Sequence, residues 1–160
     1  MKNTAPVKVI KEELSTLTNK ELIAVIQSLI RFKKENKELV TYLLFDSRDE
    51  IEYIRSIKEE MEAELEIVNR FNARNFIKLI RRVLRNTKKY IKYSGKPETE
   101  VQLLIHFCTI LRSKDLPFFR FKALSVLWDR TILNISKSIA DLHEDLQYDY
   151  TQELKALIEK

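Results

Sequence analysis

The chain has 160 residues and a mass of 19.1 kDa, which suits one compact domain spanning residues 1–160. It contains one glycine and three prolines, where an average chain of this length would have roughly eleven and eight. Hairpins and glycine-rich phosphate loops need these residues, so the composition argues against strand-rich folds and predicts an all-α protein. With 29 basic and 24 acidic residues, the net charge is +5, which mildly favours acidic partners.

Cysteine content and hydropathy indicate the expected location and solubility of the protein. The single cysteine, Cys108, rules out a disulfide within the chain and favours a reducing, cytoplasmic location. The longest nearly apolar stretch is about eleven residues, whereas a membrane span needs roughly 20. Residues 1–17 also lack the apolar centre of a signal peptide. We therefore expect a soluble protein without a membrane partner.

The first third of the chain predicts three helices. An apolar face begins after Pro6 and indicates a short helix that ends by Leu17. Thr18 and Glu21 then form a capping box, which opens a helix with a wide apolar stripe. The helical spacing of apolar residues is interrupted near Asn36, where we expect the chain to restart as a third helix.

The middle of the chain predicts three longer helices. Ser47 and Glu50 form a second capping box, and apolar residues then recur every three or four positions to about Asn69. The following helix ends at Gly95, where a left-handed residue is favourable. Pro97 fits the first position of the next helix, which is strongly apolar.

The last third is helical from Phe118 onward, and Asp149 with Gln152 predicts the start of a final helix. In total we expect about seven to eight helices joined by loops of roughly two to six residues, so successive helices should pack antiparallel. Two architectures fit this organisation. One is a helical array, a superhelix of the HEAT or armadillo type, and the other is an irregular helical bundle.

One apolar seam near the end of the chain has the three-and-four spacing of a coiled coil. It covers only two heptads, whereas a coiled coil usually needs about three to four, so packing within the chain is the favoured interpretation. A homodimer through this seam is the alternative. The seam consists of Ile132, Ile135, Ile139, Leu142 and Leu146.

The strongest feature of the sequence is a basic segment from Arg70 to Lys96. It contains ten basic residues and no acidic one, so it carries +10 while the remaining 133 residues sum to −5. On a helix, the basic residues cover an arc of about 120°, and large apolar residues occupy the opposite face. The candidate binding residues are Arg74, Lys78, Arg81, Arg82, Arg85, Lys88, Lys89, Lys92 and Tyr93.

A structural role for these charges is also possible, because an acidic helix over about residues 48–68 precedes the basic one. In an antiparallel hairpin, carboxylates near the end of the acidic helix would reach Arg74, Lys78 or Arg82. Each exposed ion pair would contribute about 0–1 kcal/mol. A single neighbouring helix does not cover an arc about 120° wide, so part of the basic face should remain in solvent.

The solvent-exposed part of the arc predicts a non-enzymatic interaction module that binds an acidic protein surface, with nucleic-acid phosphate as the alternative partner. The nucleic-acid alternative lacks a recognised motif and interleaved aromatic residues. His106 and Cys108 would lie about 200° apart on a helix, and His143 lacks the Glu-x-x-His spacing of di-metal bundles. The sequence therefore predicts no enzyme activity, no metal and no cofactor.

Overall fold

The computed structural model describes residues 3–66, 73–114 and 121–159, without the side chains of residues 73 and 74. Within these ranges the chain is helical and contains no strand, which confirms the predicted all-α class. Contacts divide it into two compact units, Met1–Leu44 and Phe45–Lys160. The helices are α1 (Val7–Thr16), α2 (Asn19–Phe32), α3 (Lys34–Leu44), a 3-10 helix (Asp46–Arg48), α4 (Glu50–Glu66), α5 (Ala73–Ser94), α6 (Pro97–Ser113), α7 (Lys122–Ala140) and α8 (Glu144–Glu159).

Local capping signals define the helices of the first unit. The Thr18 hydroxyl accepts a hydrogen bond from the Glu21 backbone N–H at 3.4 Å, and the Glu21 carboxylate accepts from the Thr18 N–H at 2.8 Å. This confirms the predicted capping box. The predicted restart is also confirmed, although α3 begins at Lys34 rather than at Asn36. The Asn36 amide donates instead to the Leu29 carbonyl at 2.8 Å, which satisfies an acceptor near the end of α2.

The first unit has very little core of its own. Neither α1 nor α2 contains a buried residue. In α3, Tyr42 is the one buried side chain. Packing of α2 against α3 therefore leaves much of the apolar surface of these helices exposed.

The second unit begins with a cap that differs from the predicted one. A carboxylate oxygen of Asp49 accepts from the Glu52 backbone N–H at 3.0 Å, so Asp49 caps α4 and the predicted box of Ser47 with Glu50 is wrong. The 3-10 helix at Asp46–Arg48 explains the difference, because it places Ser47 outside the start of α4. Glu50 contacts the end of α5 and the start of α6 through Ser94 and Thr99.

Helices α4 and α5 pack antiparallel, since residues early in α4 meet residues late in α5. The Tyr53 hydroxyl donates to the Tyr90 carbonyl at 3.1 Å. At the end of α5, Gly95 has a φ of +67° and its N–H donates to the Ile91 carbonyl at 2.9 Å, which confirms the predicted glycine C-cap. Pro97 is the first residue of α6, also as predicted.

The core of the second unit is centred on α6, which packs against α4, α5, α7 and α8. A helix that is apolar on most of its circumference is stable only when it is surrounded. These contacts are consistent with both predicted architectures, the helical array and the irregular helical bundle. The buried apolar residues of α6 are Val101, Leu103, Leu104, Ile105, Phe107, Cys108 and Leu111.

The end of the chain differs from the sequence-based expectation in two respects. It begins at Glu144, five residues before the predicted start at Asp149, and the Gln147 amide closes the corner by donating to the Leu142 carbonyl at 2.8 Å. The predicted seam is therefore split between α7 and α8. Ile135 and Ile139 are buried within the unit, so the structure does not support a homodimer through this seam.

Candidate binding surface

The apolar face of α5 fixes the orientation of the helix. It packs against α4 and α6, and the Thr87 hydroxyl on the same side is buried and donates to the Val83 carbonyl at 3.0 Å. This burial turns the opposite side of α5 towards solvent. The buried apolar residues are Phe76, Leu79, Ile80, Val83, Leu84 and Ile91.

Six of the predicted site residues form one exposed surface on α5, which we call the basic face. It extends over 14 residue steps, or about 21 Å along the helix axis. Two other predicted residues, Lys89 and Tyr93, are half-buried, and the side chain of Arg74 lies outside the described residues. The basic face consists of Lys78, Arg81, Arg82, Arg85, Lys88 and Lys92, all exposed.

The preceding acidic helix neutralises one position of the basic face. Arg82 Nη2 lies 3.0 Å from Glu64 Oε2, an ion pair that was predicted for the antiparallel hairpin. No ion pair to the other five basic residues is present within the ranges that the structure describes. The predicted structural role of the charges therefore applies to Arg82 alone among these six.

Three other carboxylates of α4 contact groups outside the basic face. Glu52 and Glu59 pair with Arg55 on the same helix at 2.7 and 3.2 Å, and these contacts raise the pKa of the Arg55 guanidinium. Glu62 Oε1 lies 3.0 Å from His106 Nε2 on α6. These three carboxylates therefore do not pair with the basic face in the part of the chain that the structure describes.

Two open depressions of opposite charge lie along the seam between α4 and α5. The basic depression has a volume of about 530 Å³, and its charged residues are Glu64, Lys78, Arg81, Arg82 and Arg85. The acidic depression has a volume of about 450 Å³, and its charged residues are Asp46, Asp49, Glu52 and Glu60. A small crevice beside Asn86 shares Glu60 with the acidic depression and Glu64 with the basic one. One end of the seam therefore attracts anions and the other attracts cations.

The two predicted residues that are half-buried, Lys89 and Tyr93, contact the ring of Tyr90. Lys89 Nζ lies 4.9 Å from the centre of the Tyr90 ring, a cation–π distance. The rings of Tyr90 and Tyr93 meet edge to face with 6.3 Å between centroids. Lys89 and Tyr93 therefore stabilise the α5 surface itself, and the exposed cations are the better candidates for binding.

The one cysteine and a histidine of α6 lie in partly or fully buried surroundings. Burial lowers the pKa of His106, an effect that nearby Lys58 reinforces and Glu62 opposes. Burial also raises the pKa of Cys108 to about 12, so its thiol stays protonated at neutral pH. Within residues 3–66, 73–114 and 121–159, no three His, Cys, Asp or Glu side chains are arranged to hold a metal ion.

Comparison of the chain with protein-family models, curated proteins and solved structures found no match. Among the helices that the structure describes, none combines the length and the apolarity of a membrane span. The charged, exposed surface of α5 is therefore the best-supported candidate site.

Proposed function

We propose that the protein is a non-enzymatic interaction module that binds an acidic protein surface through the basic face of α5. A single observation carries this proposal: five exposed cations on one helix face have no carboxylate partner within the described residues. Like charges four residues apart destabilise a helix by about 0.2–0.5 kcal/mol per pair. A partner rich in carboxylates would relieve this repulsion on binding.

The side-chain chemistry of the basic face suits carboxylates. Arg81 and Arg85 lie one helical turn apart, and a guanidinium group can bind a carboxylate through two parallel hydrogen bonds. Lys88 and Lys92 continue the surface along the helix as less directional charges. A partner with several Asp or Glu residues distributed over about 21 Å would match this length.

The acidic depression beside the basic face favours a protein over a nucleic acid. Glu64 lies within the basic depression itself, and Glu60 continues the acidic border along the seam. A phosphate backbone carries negative charge at every nucleotide and would be repelled at this border. A protein can place a lysine, an arginine or a neutral donor there.

The proposed location is the cytoplasm, which the single cysteine supports.

Nucleic-acid phosphate is the second candidate, and the linear arrangement of the cations favours it. Arg81, Arg85 and Lys88 follow one side of a straight helix, so they could contact successive phosphates of one strand. Such binding would weaken steeply with salt, with a slope of about −0.9 for each phosphate neutralised on duplex DNA.

Fluorescence anisotropy with two labelled probes, poly-L-glutamate and a duplex DNA of about 20 base pairs, tests both candidates at about 50 mM salt. The α5 reversal combines Arg81→Glu, Arg85→Glu and Lys88→Glu. A matched α7 reversal combines Lys122→Glu, Arg130→Glu and Lys137→Glu, which are exposed basic residues on another helix. Both variants change the net charge equally.

We expect the α5 reversal to weaken poly-L-glutamate binding at least about 20-fold, because three charge-assisted contacts are lost. The α7 reversal should weaken it less than about threefold, by long-range repulsion alone. Equal losses in both variants would contradict a localised site. Tighter binding of the DNA, abolished by the α5 reversal, would replace the protein partner with the nucleic acid.

A further inference from the structure

The seam between α4 and α5 carries both signs of charge within a short distance. Because the two helices are antiparallel, Glu64 near the end of α4 pairs with Arg82 in the first half of α5. About two turns later in α5, the Tyr90 hydroxyl donates to a carboxylate oxygen of Glu60 at 3.4 Å. The basic depression and the acidic depression therefore follow one another along this seam. A ligand longer than a single side chain would meet both.

The acidic depression combines carboxylates with an exposed aromatic ring. Among the described residues that line it, four are acidic and none is basic. Asp49 caps α4 and Glu52 is paired within its own helix, whereas Glu60 also lines the crevice towards Glu64. Phe45 lines the same depression and is 66% exposed. The aliphatic stem of a lysine or arginine can pack on such a ring while its charged head reaches a carboxylate.

An amide without a hydrogen bond lies between the two depressions. Asn86 is half-buried beside the crevice that shares Glu60 with the acidic depression and Glu64 with the basic one. Its side chain forms no hydrogen bond with any residue that the structure describes. A carboxamide has both a donor and an acceptor, and each peptide unit of a protein backbone offers the matching pair. Asn86 is therefore placed to bind the main chain of a segment that crosses from one depression to the other.

We propose that the contact segment of the acidic partner is an extended peptide with charges of both signs: an acidic run that lies on the basic face, and a lysine or arginine that enters the acidic depression. The segment rests on the proposed function, because the basic face supplies its first contact. Asn86 binds its main chain between the two depressions. Lys89 Nζ already lies 4.9 Å from the centre of the Tyr90 ring, so the ring left for the incoming cation is that of Phe45.

The positions of the depressions determine the spacing of the charges in the segment. From Arg82 to Tyr90 the axis of α5 advances about 12 Å. An extended chain advances about 3.3 Å per residue, so the cationic residue should lie about four positions from the nearest acidic one. Side chains four positions apart in an extended chain point to the same side, which lets both of them face the protein.

Charge complementarity favours such a segment over a ligand of one sign. A purely anionic strand would place negative charge beside Glu60 and Glu64. A purely cationic one would meet Lys78, Arg81 and Arg85 in the basic depression. A segment whose charge changes sign between the depressions is attracted by both of them.

Fluorescence anisotropy with three labelled peptides at about 50 mM salt tests this inference. The bipolar peptide has four glutamates, three serines and one lysine in that order, and it is made in both chain directions. The adjacent peptide has the same composition and charge, but its lysine directly follows the glutamates. In the glutamine peptide, glutamine replaces the lysine of the bipolar peptide, which makes the ligand more negative.

We expect the wild type to bind the bipolar peptide, in one chain direction, about tenfold more tightly than either control peptide, because only the bipolar peptide places its lysine near Glu60. Attraction by net charge alone would favour the glutamine peptide, which is the most negative of the three. Equal or tighter binding of either control peptide would overturn the inference.

Two matched variants of the protein locate the bound lysine. Glu60→Gln removes the carboxylate and keeps its size, while Glu159→Gln makes the same change in net charge at an exposed position of α8. Glu60→Gln should reduce the preference for the bipolar peptide to less than about twofold, whereas Glu159→Gln should leave it at about tenfold. A preference that survives Glu60→Gln would contradict the assigned position of the lysine.

Asn86→Ala tests the main-chain contact between the depressions. Alanine has the higher helix propensity, so α5 should be retained. The variant should weaken binding of the bipolar peptide about fivefold, because a backbone hydrogen-bond partner is lost. The control is Asn134→Ala, at a half-buried position of α7, which should change binding less than about 1.5-fold. Equal effects of the two variants would contradict the path of the segment through the crevice.

Failure of this inference can be distinguished from failure of the proposed function. If the three peptides bind equally and the α5 reversal abolishes their binding, the basic face remains the binding surface and only the bipolar segment is overturned. If the wild type binds neither poly-L-glutamate nor any of the peptides, both proposals are overturned.

Discussion

The two units of the chain use amphipathic helices in different ways. In Phe45–Lys160, the apolar faces of α4, α5, α7 and α8 meet around α6 and form a buried core. In Met1–Leu44, α1 and α2 bury no residue, although their apolar spacing is equally regular. Hydrophobic periodicity therefore identifies a helix and its apolar side, but it does not identify the surface which covers that side.

Helix α5 likewise has one side that packs in the core and an opposite side that faces solvent. Its apolar side is buried in the second unit, while five cations on its opposite side have no carboxylate partner in the described part of the chain. We infer that the apolar side of α5 stabilises the fold and that the basic face is available to a partner. Substitutions in the two units and on α5 test this division of roles, and the largest change in the free energy of unfolding is expected in the core.

Two phenylalanines provide the most direct comparison of the units. Phe107 in α6 is fully buried and Phe32 in α2 is 75% exposed. Phe107→Ala should lower the free energy of unfolding by about 3–5 kcal/mol, because it leaves a cavity in the core. Phe32→Ala should lower it by less than about 0.5 kcal/mol. Urea denaturation at about 1 μM protein measures both, and equal losses would remove the distinction between the units.

A second pair of variants compares a hydrogen-bonded carboxylate in the second unit with a surface ion pair in the first. The Glu50 carboxylate accepts hydrogen bonds from Ser94 and Thr99 at 2.5 and 2.6 Å and pairs with Lys96 at 2.8 Å, linking α4 to α5 and α6. Glu50→Ala should lower the free energy of unfolding by about 1–3 kcal/mol, because partly buried donors lose their acceptor.

The control is Lys34→Ala in the first unit, where Lys34 pairs with Glu38 in the same helix and its side chain is 85% exposed. Its loss should cost about 0–0.5 kcal/mol. Thermal unfolding followed by circular dichroism compares the two variants. A larger effect for Lys34→Ala would mean that the first unit depends on surface ion pairs more than the second does.

The smallest effect should be a gain in stability. Replacing Arg85 and Lys88 with glutamine removes like-charge neighbours four residues away and should raise the free energy of unfolding by about 0.5–1 kcal/mol. The gain should disappear at about 0.5 M salt, where charges are screened. Lys137→Gln should give no gain, since Lys137 lies four residues before Asp141. A loss of stability in the double variant would show that the fold uses these two charges.

Local signals in the sequence predicted several helix ends correctly. The box of Thr18 with Glu21, the C-cap at Gly95 and the first-turn proline Pro97 are all present. Each depends on residues within one turn of the helix end, so the information is contained in a few neighbouring positions. The all-α class was predictable for a related reason, the near absence of glycine and proline.

The N-terminal caps of two helices were predicted at the wrong residue. Asp49 rather than Ser47 caps α4, and α8 begins at Glu144 rather than at Asp149. Alternative caps a few residues apart differ by only about 1 kcal/mol, so the surrounding structure decides between them. Here the deciding contacts are the 3-10 helix before α4 and the amide of Gln147 at the corner before α8.

The position of the candidate site on α5 was predictable, but which of its charges lack a carboxylate partner among the described residues was not. Helical periodicity alone placed Lys78, Arg81 and Arg85 on one side of α5. Whether the carboxylates of α4 reach them depends on how the two helices are rotated against each other. That rotation follows from packing around α6, and it directs Glu62 to His106 rather than to the basic face.

The stability of the α5 reversal tests most directly whether the basic face is free for a partner. We expect Arg81→Glu, Arg85→Glu and Lys88→Glu together to change the free energy of unfolding by less than about 1 kcal/mol, because these side chains are exposed and form no ion pair with any residue that the structure describes. Urea denaturation at low salt, followed by the fluorescence of Trp128, gives this value without screening the charges. A loss of more than about 2 kcal/mol would contradict the account and would show that these charges hold the fold together.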